Sequence, residues 1–201
     1  MRTRICAWSV AVALIAGGAQ AQTIPDIART KPVNPIVRGV LRDVTTVPLE
    51  TLSKEAPLIV VGRLIWVKSY LTADQMNVLS DYAIQPDQVL AGTLMPTQNV
   101  PGKAAAPTLT VYGGEVTIDG VTVSAVDHNL DLPKSGQRFL LFLKLFGADA
   151  ARYQVVRGAI FEVENEKMRS LLKRSETPTP YADVTGKPLS AAVLHIARAR
   201  Q

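Results

Sequence analysis

Cysteine is nearly absent from this sequence: Cys6 is the only one, and it lies in an apolar run close to the N-terminus. Removal of the N-terminal segment predicted below therefore leaves no thiol, which excludes disulfides, cysteine lipidation and thiolate metal sites. Only two histidines are present, His128 and His195, whereas a zinc site takes about three nitrogen, sulfur or carboxylate ligands. We therefore expect no metal and no cofactor, and a fold held by its apolar core.

Signatures of common catalytic sites are also missing. There is no Gly-x-Ser-x-Gly elbow for acyl transfer, and the Gly186-Lys187 pair lacks the following serine or threonine of a phosphate-binding loop. Carboxylate pairs for glycoside hydrolysis stay open, because the two acids need not be adjacent in sequence. Three glutamates alternate at one predicted strand end, where we interpret them as a solvated face: Glu162, Glu164 and Glu166. The sequence favours a non-enzymatic protein, with a hydrolase of dispersed carboxylates as the alternative.

The N-terminus has the three parts of a secretory signal. Two arginines precede an apolar run from Ile5 to Ile15, and small residues follow, ending in Ala19-Gln20-Ala21. The apolar run is shorter than the roughly 20 residues that a membrane span needs. We therefore predict a cleaved signal peptide over residues 1–21, a periplasmic or secreted protein, and no transmembrane span after processing.

Positive charge is concentrated at the two ends of the chain. Residues 167–201 contain seven basic and two acidic residues, whereas residues 22–166 contain 13 basic and 15 acidic residues. A groove that binds nucleic acid should run through a basic folded body, and this body is mildly acidic. We therefore expect no nucleic-acid partner; the expected partner is an extracytoplasmic protein or an envelope polymer.

Beyond the signal, the chain divides into three parts. They are a flexible leader over 22–46, a β-barrel domain over 47–166 and a basic helical tail over 167–201. Prolines interrupt any periodic pattern in the leader, where only Ile36 to Val40 is apolar enough to dock. Proline in a first-turn position predicts a short helix that begins after Pro48.

Apolar or alternating runs predict six or seven short strands in the central part. These runs cover residues 58–67, 76–90, 108–112, 115–118, 121–124, 139–146 and 153–163. The Asp119-Gly120 pair between two β-branched runs predicts a hairpin, and Gly62 predicts a bulge or bend in the first strand. Trp66 lies in the same apolar strand, so we expect its side chain in the core. The pattern favours a mainly β fold, a small closed or partly closed barrel with helices at an edge or end.

The tail is predicted to be helical. Asn165 is a candidate cap for a first helix, and Leu189 to Ala199 forms a second, amphipathic helix. The apolar positions are Met168, Leu171 and Leu172 in the first and Leu189, Val193 and Ile196 in the second. A helix this short is marginal alone, so its apolar stripe must dock on the barrel or on a partner.

Several glycine-containing motifs follow one another along the chain in a recognisable order. They are Val61-Gly62-Arg63, Tyr82 followed by Ala91-Gly92, Gly113-Gly114, Pro133-Lys134-Ser135-Gly136 before a Phe-Leu strand, and Val156-Arg157-Gly158. This order resembles uncharacterised secreted bacterial domains, which in turn resemble netrin-like modules and tissue inhibitors of metalloproteinases. The resemblance covers residues 48–165 and implies an OB-like barrel. It implies no inhibitory activity, because those inhibitors act through an N-terminal cysteine that the mature chain lacks.

The most site-like cluster is Asp127, His128, Asn129 and Asp131. Its alternating oxygens match the opening of an EF-hand calcium loop, but Leu132 and Arg138 stand where that loop needs its glycine and its closing glutamate. Asx residues before a proline are also ordinary loop formers. We therefore predict a polar loop that can serve as a binding loop and that holds no metal ion tightly.

Overall fold

The computed structural model of the chain describes residues 22–30, 35–39, 46–95, 106–147, 149–173 and 181–201. The predicted signal peptide lies outside these residues. The described residues form a mainly β fold, as the sequence predicts. In chain order the elements are α1 (Ile24–Thr30), β1 (Ile36–Gly39), α2 (Leu49–Glu55), β2 (Leu58–Leu71), β3 (Val78–Ala91), β4 (Thr108–Tyr112), β5 (Gly114–Ile118), β6 (Val121–Asp127), β7 (Arg138–Phe146), β8 (Asp149–Glu164), β9 (Lys167–Ser170) and α3 (Leu189–Ala199).

The larger sheet has six strands in the order β4-β3-β2-β7-β8-β9, and its neighbouring strands are antiparallel. β4, the first strand of this order, also pairs in parallel with β8, the last strand but one. The paired residues are Thr108 with Arg152 and Leu109 with Tyr153. The sheet therefore curves partly into a ring. Gly62 permits one tight point of this curve, because a Cβ there would collide with the Gln85 carbonyl oxygen, and the β2–β3 register shifts beside it.

The main core fills the inside of the larger sheet. Phe139, Phe142 and Phe161 are fully buried, and the Phe142 and Phe161 rings meet edge to face with centroids 6.0 Å apart. Apolar residues of α2 and α3 belong to the same cluster, including Leu52 and Ile196. The tail helix therefore packs on the core of the larger sheet, so its apolar stripe docks on this chain.

A smaller sheet, β1-β6-β5, packs against the β2–β3 hairpin. The β5–β6 hairpin is confirmed: Asp119 and Gly120 both take positive φ, 50° and 81°, as its tight turn requires. A second apolar cluster contains Ile24, Ala28, Val78, Val123 and Ala125. At Gly114 a Cβ would collide with the Ser80 hydroxyl, so glycine is what allows β5 to approach the hairpin.

The last described segment caps both ends of α2. Pro48, at the N-cap of α2, makes no side-chain capping bond. Instead, the Leu49 amide donates to Asp183 Oδ2 at 3.0 Å. At the other end, the Arg200 guanidinium donates from Nε to the Ser53 carbonyl at 2.8 Å and also to the Ala56 carbonyl. A short helix with few internal bonds thus gains its end partners from residues far along the chain.

The described residues of the predicted flexible leader form a helix and a strand that pack on the smaller sheet. Ile24 and Ala28 of α1 are each 1% exposed, and β1 pairs in parallel with β6. Thr23 and Asp26 exchange hydrogen bonds in a capping-box arrangement that starts the helix, and Pro25 fits in its first turn. The predicted docking of Ile36 to Val40 is confirmed for Ile36–Gly39.

The prediction of a helix after Asn165 is wrong. Asn165 and Glu166 take positive φ, 49° and 60°, and form the turn of a hairpin that returns as β9. Along β9, Met168 is buried between the exposed Lys167 and Arg169, a period of two rather than a helical stripe. The larger sheet therefore extends to Ser170, four residues beyond the predicted end of the barrel domain.

None of the helices in the described ranges has the length and apolar character needed to cross a membrane.

Candidate functional site

The predicted binding loop is tied to the segment that follows β9. Asp127 is buried, and its carboxylate accepts the Asn129 amide at 2.7 Å, as in an Asx turn. The Lys173 ammonium donates to the Asp127 carbonyl at 2.9 Å and lies 3.2 Å from Asp131 Oδ1. His128 is exposed. Asp127 thus has a structural role in the loop, whereas His128 and Asp131 face accessible space.

In the described part of the chain, no group of three or more His, Cys, Asp or Glu side chains is close enough to hold a metal ion. The four predicted residues therefore form no ligand set with other described side chains. Whether the loop binds a partner stays a prediction.

A groove of about 310 Å³ lies beside this loop. Its lining residues are Asp131, Leu132, Lys134, Glu162, Arg169 and Leu171. Glu162, which the sequence analysis expected on a solvated face, is 7% exposed and forms an ion pair with Arg169 across the β8–β9 hairpin. The two carboxylates of the groove are thus both paired with cations, Asp131 with Lys173 and Glu162 with Arg169.

A second polar cluster covers the outer side of the larger sheet, and we call it the tyrosine face. It consists of Lys68 and Tyr70 on β2, Asp81 on β3, Thr110 and Tyr112 on β4, and Arg152 on β8. Directly opposed residues on neighbouring strands share a face of the sheet. The register puts Tyr70, Leu79 and Tyr112 in one row and Lys68, Asp81 and Thr110 in the next.

Asp81 is the centre of the tyrosine face. It is 4% exposed, and its Oδ1 atom accepts hydrogen bonds from the Thr110 hydroxyl at 2.8 Å and the Tyr70 hydroxyl at 3.2 Å. Arg152 Nη2 lies 3.7 Å from Asp81 Oδ2, and its Nη1 donates to the Tyr70 hydroxyl oxygen at 2.9 Å. Every member of the network has a partner, so the side chains are held in one arrangement.

Two cations lie over the ring of Tyr70. The Lys68 ammonium is 5.2 Å and the Arg152 guanidinium carbon 5.5 Å from the ring centroid, both within cation–π range. Burial, and secondarily the negative charge of Asp81, raise the pKa of the Tyr70 hydroxyl above its ordinary value. Tyr70 therefore stays neutral at physiological pH and holds the two cations beside each other.

The strand that carries Lys68 and Tyr70 also carries an exposed tryptophan. Trp66 is 51% exposed, as is its neighbour Val67, so the prediction of a core tryptophan is wrong. The buried part of β2 ends at Leu64, so Trp66 lies beyond the core. A bulge follows it: the β2–β3 register shifts between Trp66 and Lys68, which leaves Val67 without an opposite residue. Bulges re-aim side chains and are common beside functional sites.

Sequence reasoning did not find the tyrosine face. The i, i+2 pairs Lys68 with Tyr70 and Thr110 with Tyr112 were readable, because alternate strand residues share a face. Their approach to Asp81 and Arg152 depends on the register of four strands, which no local pattern supplies.

No family model and no curated protein matches this chain, so the function is argued from the geometry.

Proposed function

We propose that the chain is an exported, non-enzymatic binding module with an OB-type barrel, and that it recognises an extracytoplasmic protein or envelope polymer through the tyrosine face. The barrel proposal is supported by the pairing order, which runs β2-β3-β4-β8-β7 and back to β2, with β4 and β8 parallel. Export is supported by the signal-like order of residues 1–21. The order of the glycine motifs, which resembles that of secreted bacterial domains similar in turn to netrin-like modules, agrees with the same architecture.

The observation that carries the proposal is the Asp81 network. A buried carboxylate that orients two hydroxyls and an arginine beneath an exposed Lys68 is a preorganised polar surface, and preorganisation lowers the entropy lost on binding. In OB-type barrels, the outer face of the second and third strands is the usual ligand-binding side. The corresponding strands of this chain are β3 and β4, which contribute Asp81, Thr110 and Tyr112.

Retention on washed cell envelopes of a Gram-negative bacterium tests this function. We expect the mature chain to sediment with the envelopes, and the double variant Lys68→Ala/Tyr112→Ala to lose about tenfold in affinity, since both side chains are exposed. The matched control is Lys187→Ala/Leu194→Ala, which truncates an exposed lysine and an apolar side chain 52% exposed on the tail. An equal loss in both variants, or no retention at all, contradicts the proposal.

A hydrolase is the second candidate, because Asp131 and Glu162 line one groove. Both carboxylates are ion-paired, whereas general acid and base catalysis needs groups free to exchange protons with a substrate. We therefore expect no release of reducing ends when the protein is incubated with the same envelopes. Release that disappears in a Glu162→Gln variant would establish the hydrolase instead.

A further inference from the structure

The outer side of β2, β3 and β8 has a concentration of positive charge, although residues 22–166 as a whole are mildly acidic. Arg63 and Lys68 are exposed and Arg152 is partly exposed, and the register aligns them along this side. Asp81, the carboxylate opposite Lys68, is buried, and the exposed Asp87 farther along β3 pairs with Arg138. Residues 22–166 as a whole have two more acidic than basic residues, so this concentration of cations is a local feature. Such a surface is complementary to an anionic ligand.

Lys68 is the group best able to bind that anion. Its row partner Asp81 is occupied by Tyr70, Thr110 and Arg152. Among the described residues the Lys68 ammonium has no hydrogen-bond or ion-pair partner, and its one specific contact is the Tyr70 ring. A cation anchored by its contact with a ring keeps its three N–H donors for a ligand.

A second contact point lies across the sheet. Tyr112, 40% exposed, is in the same row as Tyr70 with the buried Leu79 between them, so the two tyrosines are about 10 Å apart at two strand spacings. The faces of the Tyr70 ring are used by cations, which leaves Tyr112 as the stacking surface. A ligand that reaches both Lys68 and Tyr112 must therefore be extended, longer than one sugar or one amino acid.

We infer that the tyrosine face binds an acidic polysaccharide, with a carboxylate of one sugar on Lys68 and the ring of another on Tyr112. This inference rests on the binding function proposed above. Sugar C–H groups pack against the electron-rich face of an aromatic ring, which suits a flat, exposed tyrosine. A protein partner fits less well, because protein interfaces centre on apolar anchors in desolvated pockets, and the centre here is a hydrogen-bonded carboxylate.

The fluorescence of Trp66 provides a direct test, because it is the one tryptophan outside residues 1–21 and lies two residues from Lys68. The mature chain is titrated with four probes: polymannuronate, dextran, poly-L-glutamate and single-stranded oligothymidylate. We expect polymannuronate to bind at least tenfold more tightly than each of the other three. Lys68→Gln should weaken polymannuronate binding by about tenfold and reduce its salt dependence, and Tyr112→Ala should weaken binding by a similar factor.

The other outcomes identify what is wrong. Equal or tighter binding of dextran, poly-L-glutamate or oligothymidylate overturns the inference in favour of a neutral glucan, an acidic polypeptide or a single-stranded nucleic acid, respectively. The Lys187→Ala/Leu194→Ala variant must bind polymannuronate like the unmodified chain; an equal loss there overturns the assignment to this face. Failure of all four probes, while envelope retention persists, overturns the inference and leaves the binding function in place.

Discussion

Asp81 holds a negative charge where almost no solvent reaches it, and its neighbours make that possible. Two hydroxyl donors and the guanidinium of Arg152 surround its carboxylate. Removing the carboxylate leaves these buried donors without their acceptor, and that loss destabilises the fold by more than the hydrogen bonds had stabilised it. The residue therefore contributes both to the fold and to the shape of the tyrosine face.

Asp81→Ala should lower the free energy of unfolding by about 2–3 kcal/mol, because buried donors lose their acceptor while Arg152 remains 31% exposed. Urea denaturation measures this difference. The control is Asp87→Ala, whose carboxylate is 40% exposed and pairs with Arg138 at 2.8 Å, a surface bridge worth less than about 1 kcal/mol. Equal losses in the two variants would contradict a buried network at Asp81.

The buried tyrosines make the protein sensitive to alkali. Burial raises the pKa of Tyr82 to about 12, and burial also raises the pKa of Tyr181 above its ordinary value of 10. Between pH 10 and 12 the unfolded chain therefore releases these protons while the folded chain keeps them, so stability is present below pH 10 and falls as pH rises. For Tyr82 the loss amounts to roughly 2–3 kcal/mol.

Ultraviolet titration of phenolate with parallel circular dichroism checks this expectation. The Tyr82 and Tyr181 hydroxyls should ionise late, together with the loss of near-ultraviolet ellipticity, and Tyr82→Phe should move unfolding to higher pH. Ionisation of all five tyrosines near pH 10 in a protein that stays folded would contradict the burial of these side chains.

Helix α2 depends on the tail more than on its own sequence. It has seven residues, its N-cap proline offers no side-chain acceptor, and its end groups bond to Asp183 and Arg200. Helix α3 packs beside it through the buried Leu189, Ala192 and Ile196. The two short helices therefore stabilise each other on the larger sheet, although neither would persist alone in water.

Arg200→Ala should lower the free energy of unfolding by about 1–2 kcal/mol, since hydrogen bonds from a charged group to the Ser53 and Ala56 carbonyls are lost. Thermal unfolding would register this as a decrease of roughly 2–8 °C in melting temperature. Arg198→Ala is the control, because Arg198 is exposed in the last turn of α3, two residues before Arg200. An Arg200 variant that melts like this control would show that the cap contributes nothing.

Local patterns predicted the elements whose cause is local. The Asp119-Gly120 hairpin follows from turn chemistry, and the strand over Arg138–Phe146 follows from a continuous apolar run. The β8–β9 hairpin did not, because Asn165 and Glu166 are a less distinctive turn and the apolar positions after them also fit a helix. The tyrosine face could not be predicted from the sequence for another reason. The contact of Arg152 with Asp81 depends on a parallel pairing between strands about 40 residues apart in sequence.

The main core connects the larger sheet with α2 and α3, so its packing should control the stability of that unit. Phe142→Ala should lower the free energy of unfolding by about 3–5 kcal/mol, because the ring is fully buried and meets Phe161. Guanidinium denaturation measures the loss. Phe146→Ala, near the end of the same strand and partly exposed, is the control and should lose less. Equal stability of the Phe142 variant and the unmodified chain would contradict the register of β7.

The caps of α2 also determine when during synthesis the fold can close. Asp183 and Arg200 follow the helix ends that they bond by 134 and 147 positions. A ribosome-bound chain that has reached β7 therefore cannot yet complete α2, because the residues that bond both of its ends are synthesised later. The core around Leu52 therefore closes late in synthesis, and the nascent polypeptide keeps this apolar helix face open until the capping residues have been added.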